Sequence, residues 1–179
     1  MKKLILLVII LFFNTSIANA QNKGKSTGFE IPRFVSLKTN DSNLRVGASK
    51  DFPIKLKYII KNLPLEIIDE HENWRKVVDM DNNEGWIHKR LIIGKRFGII
   101  KTFYEQPAQI LNKPQGTTIG KIGNRNIVRI NKCLKKWCYI SFKKNKGWIN
   151  KINLWGVYEN EEFNLPFYHF IIEKFWKLI

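Results

Sequence analysis

The sequence has few of the residues from which catalytic and metal sites are built. Its 179 residues include only two cysteines and three histidines. His71, His88 and His169 are scattered, and no pair of them has metal-ligand spacing with a cysteine. No combination of nucleophile, base and orienting group is visible. The sequence therefore predicts a non-catalytic protein with no metal site and no other cofactor.

The sequence also lacks a hydrophobic run long enough to span a membrane. The apolar run at residues 4–13 has ten residues, whereas a spanning helix needs about 20. It follows Lys2 and Lys3 and precedes Ala18-Asn19-Ala20, which is the layout of a secretory signal peptide. We therefore expect residues 1–20 to be removed by cleavage after Ala20, and the protein to be secreted into the periplasm. An uncleaved anchor is the alternative, and the absence of a cysteine after the cleavage site argues against a lipoprotein.

Acidic residues are scarce relative to basic ones. The chain has 15 acidic and 31 basic residues and a net charge of +16, which falls to +14 when Lys2 and Lys3 leave with the signal peptide. Such a charge attracts anionic surfaces over a distance that salt shortens. A secreted chain rarely meets nucleic acid, so we expect no nucleic-acid partner. The alternative is that the lysine-rich composition reflects an AT-rich genome.

Two stretches of the sequence repeat one pattern. Residues 73–87 and 136–149 each contain a Trp, a polar turn and then Gly-Trp-Ile. The two Trp residues are 12 positions apart in the first stretch and 11 in the second. Each stretch is typical of a β-hairpin, and short strands with turn residues between them indicate a small barrel or sandwich. The sequence thus predicts an all-β protein with two copies of one small module.

Four blocks of the first copy resemble the bacterial SH3-like (SH3b) domain, and most closely its secreted alphaproteobacterial group. The blocks are residues 43–47, 63–68, 73–77 and 84–88, and residues 154–158 resemble the same group. The resemblance implies a partly open small barrel that needs no active site. It also implies binding to peptidoglycan or its peptides.

These features predict five segments. They are the signal peptide at 1–20, a flexible leader at 21–30, SH3-like β-barrels at 31–103 and 104–158, and a tail at 159–179. After Pro166 the tail has helix-compatible residues, so a short C-terminal α-helix is expected. This apolar helix could dock on a barrel, lie on a membrane surface through residues 165–179, or mediate self-association.

Three residues of the first copy are candidates for contact with a ligand in a groove between two loops: Arg45, Tyr58 and His88. The alternative is that they are ordinary surface residues. The second copy has Asn112-Lys113 where the first has its Arg-containing block. We interpret the remaining repeated residues as structural, although the tryptophans could instead be ligand platforms. They are Trp74, Gly85, Trp86, Trp137, Gly147 and Trp148.

The two cysteines lie on opposite arms of the second predicted hairpin. If Cys133 and Cys138 face each other, their Cβ atoms fall near disulfide distance. An oxidising compartment favours that bond. A redox pair normally has C-x-x-C spacing, which is absent, and a nucleophilic cysteine would need a base beside it. The sequence therefore predicts a structural disulfide.

The sequence leaves three functional classes open. The first is a cell-envelope module that binds peptidoglycan. The second is a periplasmic scaffold or adaptor that binds a protein partner through exposed Trp155, Tyr158 and the aromatic tail. The third is a wall hydrolase, which would lose turnover on Cys138→Ser.

Overall fold

The protein forms two antiparallel β-sheets in a computed structural model that describes residues 22–103 and 106–165. Each sheet contains seven strands. The first has β1 (Arg33–Leu37), β2 (Ser42–Arg45), β3 (Ile54–Tyr58), β4 (Pro64–His71), β5 (Trp74–Val78), β6 (Glu84–His88) and β7 (Ile92–Ile93). The second has β8 (Phe97–Ile100), β9 (Ala108–Leu111), β10 (Thr118–Ile122), β11 (Ile127–Cys133), β12 (Trp137–Phe142), β13 (Asn145–Asn150) and β14 (Leu154–Trp155).

The second sheet repeats the first strand for strand. The order is β3-β2-β6-β5-β4-β1-β7 in one and β10-β9-β13-β12-β11-β8-β14 in the other. The prediction of an all-β chain with two copies of one module is therefore confirmed. The prediction of barrels is corrected, because the hydrogen-bonded order of each sheet ends at its outer strands and does not close. The predicted signal peptide and C-terminal helix fall on residues 1–20 and 166–179, outside the described residues.

The boundary between the two modules lies earlier in the chain than the predicted position at 103/104. Strand β8 lies before that boundary but pairs with β11 and β14 of the second sheet. Its residues Ile99 and Ile100 are buried, and Ile100 belongs to the second core. The sequence pattern missed this because a short apolar strand fits the end of one module as well as the start of the next.

Strand alternation places one buried core inside each module. In the first, Leu37, Leu65, Val77 and Ile87 are fully buried. Burying a side chain of this size stabilises the fold by about 1.5–3 kcal/mol. The second core uses the corresponding residues Ile140 and Ile149, together with others that share the same faces of their strands: Ile100, Ile122, Val128, Ile130 and Leu154.

Gly85 and Gly147 are required by close approach of neighbouring strands. A Cβ on Gly85 would lie 2.7 Å from the carbonyl oxygen of Arg45 and from Leu44, and Gly147 has the same conflict with Ile110. Neither glycine has a positive φ. The lack of space between the strands thus confines these two positions to glycine.

A buried carboxylate holds the N-terminal segment on the first module. Glu70 is 2% exposed and forms ion pairs with Arg33 and with Arg75, whose Nε is 3.3 Å from Oε1. The backbone N–H groups of Ser26 and Thr27 donate to Oε2 at 3.1 and 2.9 Å. Residues 22–30 therefore fold back onto the module, which corrects the expectation of a flexible leader.

The disulfide occupies the same place in the second module. Glu70 pairs with Arg75 across β4 and β5, and Cys133 pairs with Cys138 across β11 and β12, each pair following a register shift two residues upstream. The bond between Cys133 and Cys138 is formed, which confirms the predicted disulfide. Cys133 also exchanges backbone hydrogen bonds with Phe163, so a segment beyond the last strand covers this position.

Candidate binding site between the modules

The two modules contact each other through an aromatic cluster and two polar links. Phe34, which is 8% exposed, lies between the rings of Trp155 and Tyr158, with centroid distances of 5.1 and 4.8 Å. The Tyr158 hydroxyl donates to Glu66 Oε1 at 2.7 Å. Trp155 and Tyr158 are therefore half-buried at the interface between modules. They do not form the exposed partner surface that the sequence reading assigned to them.

A bidentate ion pair also joins the two modules. Arg125 donates to both carboxylate oxygens of Asp81, at 3.0 and 2.6 Å. Arg125 has φ of +61°, a left-handed conformation that costs a non-glycine residue about 1–2 kcal/mol. The hydrogen bond from Arg125 lowers the pKa of Asp81 below its ordinary value. The carboxylate is thus ionised at neutral pH.

The groove beside this ion pair has a volume of about 400 Å³ and is mostly apolar. Ile59 and Ile60, at 76% and 48% exposure, lie on one wall. Ile99 and Ile127 of the second module form the other. An apolar cleft with a few polar groups at a domain interface is the usual form of a ligand site. Its other lining residues include Leu56, Lys57, Leu63, Met80 and Asn83.

Tyr58 is the one predicted ligand residue that lines this groove. Its side chain is 7% exposed, and its hydroxyl donates to Asp79 Oδ2 at 2.9 Å. Burial and the nearby Asp79 charge raise the pKa of Tyr58 far above its ordinary value, so the phenol stays neutral. Asp79 also accepts hydrogen bonds from the backbone of Asp81 and Asn83. Tyr58 therefore fixes the turn on which the Asp81 carboxylate is presented.

Arg45 and His88 do not line the groove. Arg45 Nη1 donates to the carbonyl oxygen of Phe52 at 2.6 Å, which fixes the β2–β3 loop. The His88 ring packs edge-on against Trp74 at 5.3 Å, and its Nδ1 accepts from the backbone of Arg90. Burial and surrounding positive charge, chiefly Arg90, lower the pKa of His88, so its imidazole is neutral at pH 7. Both residues support loops of the first module.

The repeated tryptophans contact neighbouring side chains. Trp74 and Trp148 are buried, and Lys132 lies over the Trp148 ring with Nζ 5.0 Å from the centroid. Trp86 and Trp137 are half-buried. Arg45 faces Trp86 in the first ladder, and Leu111 faces Trp148 in the second. The second module thus has an apolar residue at the position of Arg45.

The polar side chains that line the groove are those of Lys57, Tyr58, Asp79, Asp81, Asn83 and Arg125. None of the described residues that line it is a serine, threonine, cysteine or histidine. In residues 22–103 and 106–165 there is no cluster of three or more histidine, cysteine or acidic side chains suited to a metal ion. No helix in the same part of the chain has the length and apolar character to cross a membrane.

Comparison with known proteins identifies the family. The chain matches the family described as bacterial SH3 domain at residues 38–94 and again at 119–156, together more than half of its length. The chain therefore belongs to the bacterial SH3 domain family, with two repeats. No curated protein matches it.

Two solved structures show a distant likeness. They are NlpC1 and NlpC2 from Trichomonas vaginalis, at 16% and 15% sequence identity and a TM-score of 0.32 each. The matches cover 74% and 76% of this chain but 48% and 52% of the other chains, so this chain spans about half the length of either protein. At this TM-score the likeness carries no argument about function.

Proposed function

We propose that the protein is a secreted, non-catalytic module of the bacterial cell envelope that binds peptidoglycan stem peptides in the groove between its two repeats. The observation that carries this proposal is the pairing of an apolar groove with the Asp81–Arg125 ion pair at its edge. Stem peptides present small apolar side chains, free carboxylates and, in many bacteria, a free ammonium group. The groove offers a partner for each of them.

The Asp81–Arg125 ion pair is weak enough for contacts with a charged ligand to replace it. Asp81 and Arg125 are 51% and 61% exposed, and an ion pair at such exposure contributes only about 0–1 kcal/mol. A ligand ammonium can therefore bind Asp81, and a ligand carboxylate can bind Arg125 in the bidentate geometry that guanidinium favours. The net charge of +14 that remains after the signal peptide is removed adds long-range attraction to anionic wall polymers.

The proposal includes export of the protein to the periplasm. The sequence features of residues 1–20 are those of a signal peptide. The disulfide is consistent with an oxidising compartment. N-terminal sequencing of the protein recovered from a periplasmic extract should begin at Gln21. A sequence that begins at Met1 would contradict this part of the proposal.

Retention on purified peptidoglycan sacculi tests the binding proposal. The wild type should stay bound at both low and high salt, because apolar contacts are not screened. Ile59→Ser/Ile60→Ser should release the protein at high salt. Ile152→Ser is the matched control, since Ile152 is 68% exposed and does not line the groove. Equal retention of the groove variant and the control would overturn the assignment of the site.

A second candidate function, an adaptor for a protein partner, is favoured by an exposed apolar patch on the first module. Val46, Phe52 and Ile54 are 53%, 47% and 52% exposed and lie on or beside the loop between β2 and β3. Contiguous apolar surface of this kind is typical of protein contacts. Cross-linking in cells should capture one partner that Phe52→Ser loses. Capture that is unchanged by Phe52→Ser would exclude this surface.

A further inference from the structure

A second cleft between the modules is strongly basic. Its volume is about 520 Å³, and four cationic side chains line it. Lys38, Lys61 and Lys95 come from the first module or the segment that follows it, and Arg129 comes from β11 of the second. Ile93 and Phe97 supply apolar lining. The segment at residues 59–63 separates this basic cleft from the groove proposed for peptides.

The basic cleft has no negative charge of its own. Its described lining residues include no aspartate or glutamate. Within residues 22–103 and 106–165 none of its four cations forms an ion pair, whereas Lys57, Lys76 and Arg125 each pair with a carboxylate. Like charges gathered on one surface repel, and a cleft with low-dielectric walls concentrates their field. Four solvent-exposed cations thus share one cleft, and their combined field favours an anion there.

The number and type of the cations indicate the charge of the missing anion. One carboxylate would neutralise a single cation and leave three. A phosphate-bearing group with two or more negative charges matches the cleft better, because lysine binds phosphate as a point charge and arginine binds it in bidentate fashion. The same phosphate chemistry is present in soluble phosphate compounds and in membrane lipids whose headgroups carry more than one phosphate.

We propose that the cleft lined by Lys38, Lys61, Lys95 and Arg129 is a binding site for a multiply charged phosphate group. The site exists only when the two modules are docked, because Arg129 and the lysines belong to different repeats. Binding therefore stabilises the docked arrangement and raises the unfolding temperature further as the ligand concentration rises above Kd. It does not depend on the peptide groove, with which it shares no lining residue.

Titration with inorganic pyrophosphate at constant ionic strength tests this site. The wild type should bind and unfold at a higher temperature. Lys61→Gln/Arg129→Gln should bind at least about tenfold more weakly, since each charge-assisted contact contributes a factor of that order. Without pyrophosphate this variant should be as stable as the wild type or more stable, because repulsion is relieved. Lys61→Gln/Lys95→Gln provides a second variant with the same expected loss.

The matched control is Lys113→Gln/Lys144→Gln. It removes the same charge from exposed positions that line neither cleft. It should bind pyrophosphate as the wild type does. Equal weakening in the control and the cleft variants would show attraction by net charge alone and overturn the proposal. Absence of binding to the wild type would overturn it as well.

Vesicles distinguish the two sources of phosphate. Vesicles that contain cardiolipin, whose headgroup carries two phosphates, should retain the wild type and the control, but not the cleft variants, if a lipid headgroup fills the site. Loss of pyrophosphate binding alone, with vesicle binding unchanged, supports a soluble phosphate compound as the ligand. Either result supports the cleft. Whether Ile59→Ser/Ile60→Ser is retained on sacculi does not affect the result for the basic cleft.

Discussion

Glu70 and Cys133 occupy the same position in two copies of one sheet. Each lies near the end of its strand, faces a cross-strand partner after a register shift, and is buried. Each is also covered by a segment outside the strands, residues 22–30 for Glu70 and Phe163 for Cys133. At this position the first module joins its two strands by ion pairs and hydrogen bonds, and the second joins them by a covalent bond.

Removing the Glu70 charge should destabilise the first module. In Glu70→Gln the buried Arg75 and the partly buried Arg33 lose their counter-charge, a change that typically costs about 3–5 kcal/mol. Urea unfolding measures this loss. Glu66→Gln is the control, because the Glu66 side chain is half-buried and accepts a hydrogen bond from the Tyr158 hydroxyl. A loss under about 1 kcal/mol for Glu70→Gln would contradict the role assigned to its charge.

The same carboxylate should make stability depend on pH. Burial raises the pKa of Glu70, but hydrogen bonds from Arg33 and Thr27 and the charges of Arg33 and Arg75 outweigh it, so the folded pKa lies below its ordinary value of 4.5. The stabilisation is then complete above about pH 4.5 and lost as the pH falls through the folded value. Acid titration of the unfolding free energy should be flatter in Glu70→Gln than in the wild type. Parallel curves would contradict this account.

Replacing the Glu70–Arg75 pair by a disulfide tests whether the two ladder positions are equivalent. Glu70→Cys/Arg75→Cys should form a disulfide, because these residues face each other at the ladder position that Cys133 and Cys138 occupy in the second module. Thiol titration and mass spectrometry read out the bond. Free thiols after oxidation would show that the two positions differ. Removing the native bond in Cys133→Ser/Cys138→Ser should cost about 2 kcal/mol, as expected for a short loop.

The contact of Phe34 with Trp155 and Tyr158 should hold the modules together. Phe34→Ala removes a buried ring and should cost about 3 kcal/mol. Tryptophan fluorescence should then show the modules unfolding in separate steps. Phe29→Ala is the control, since Phe29 is 64% exposed and should change stability by under about 0.5 kcal/mol. A single unchanged transition in Phe34→Ala would contradict the role of this contact.

The cost of the left-handed backbone at Arg125 can be measured separately from the loss of its ion pair. Arg125→Gly and Arg125→Gln both remove the ion pair with Asp81, but only glycine adopts φ of +61° without steric cost. Arg125→Gly should therefore be more stable than Arg125→Gln by about 1 kcal/mol. Thermal unfolding of the two variants measures the difference. A less stable glycine variant would show that the loop is not strained.

Local patterns in the sequence predicted the repeat and much of the strand content. The Trp, turn and Gly-Trp-Ile pattern predicted both central hairpins, and the facing cysteines predicted the disulfide. These features depend on residues close in the chain. Turn chemistry was also local, as Asn82 shows with its φ of 63° in the predicted turn.

Contacts between distant residues could not be predicted in the same way. The bond of Thr27 to Glu70 and that of Tyr158 to Glu66 join residues 43 and 92 positions apart. Arg45 and His88 were candidates because of their chemistry, yet their positions on the strands direct them to loops of the first module. The groove contains Arg125 and Ile99 of the second module, which no single-module pattern could indicate.

The most direct test of the central claim is a calorimetric titration of the purified protein with one isolated stem peptide. Wild type and Ile152→Ser should bind with the same Kd. Ile59→Ser/Ile60→Ser should raise Kd about tenfold or more, because buried apolar contacts are lost. Arg125→Gln should also raise Kd, and the increase should be larger at low salt than at high salt. Equal Kd values for all four proteins, or no heat of binding to the wild type, would contradict the assignment of the groove between the modules as a peptide site.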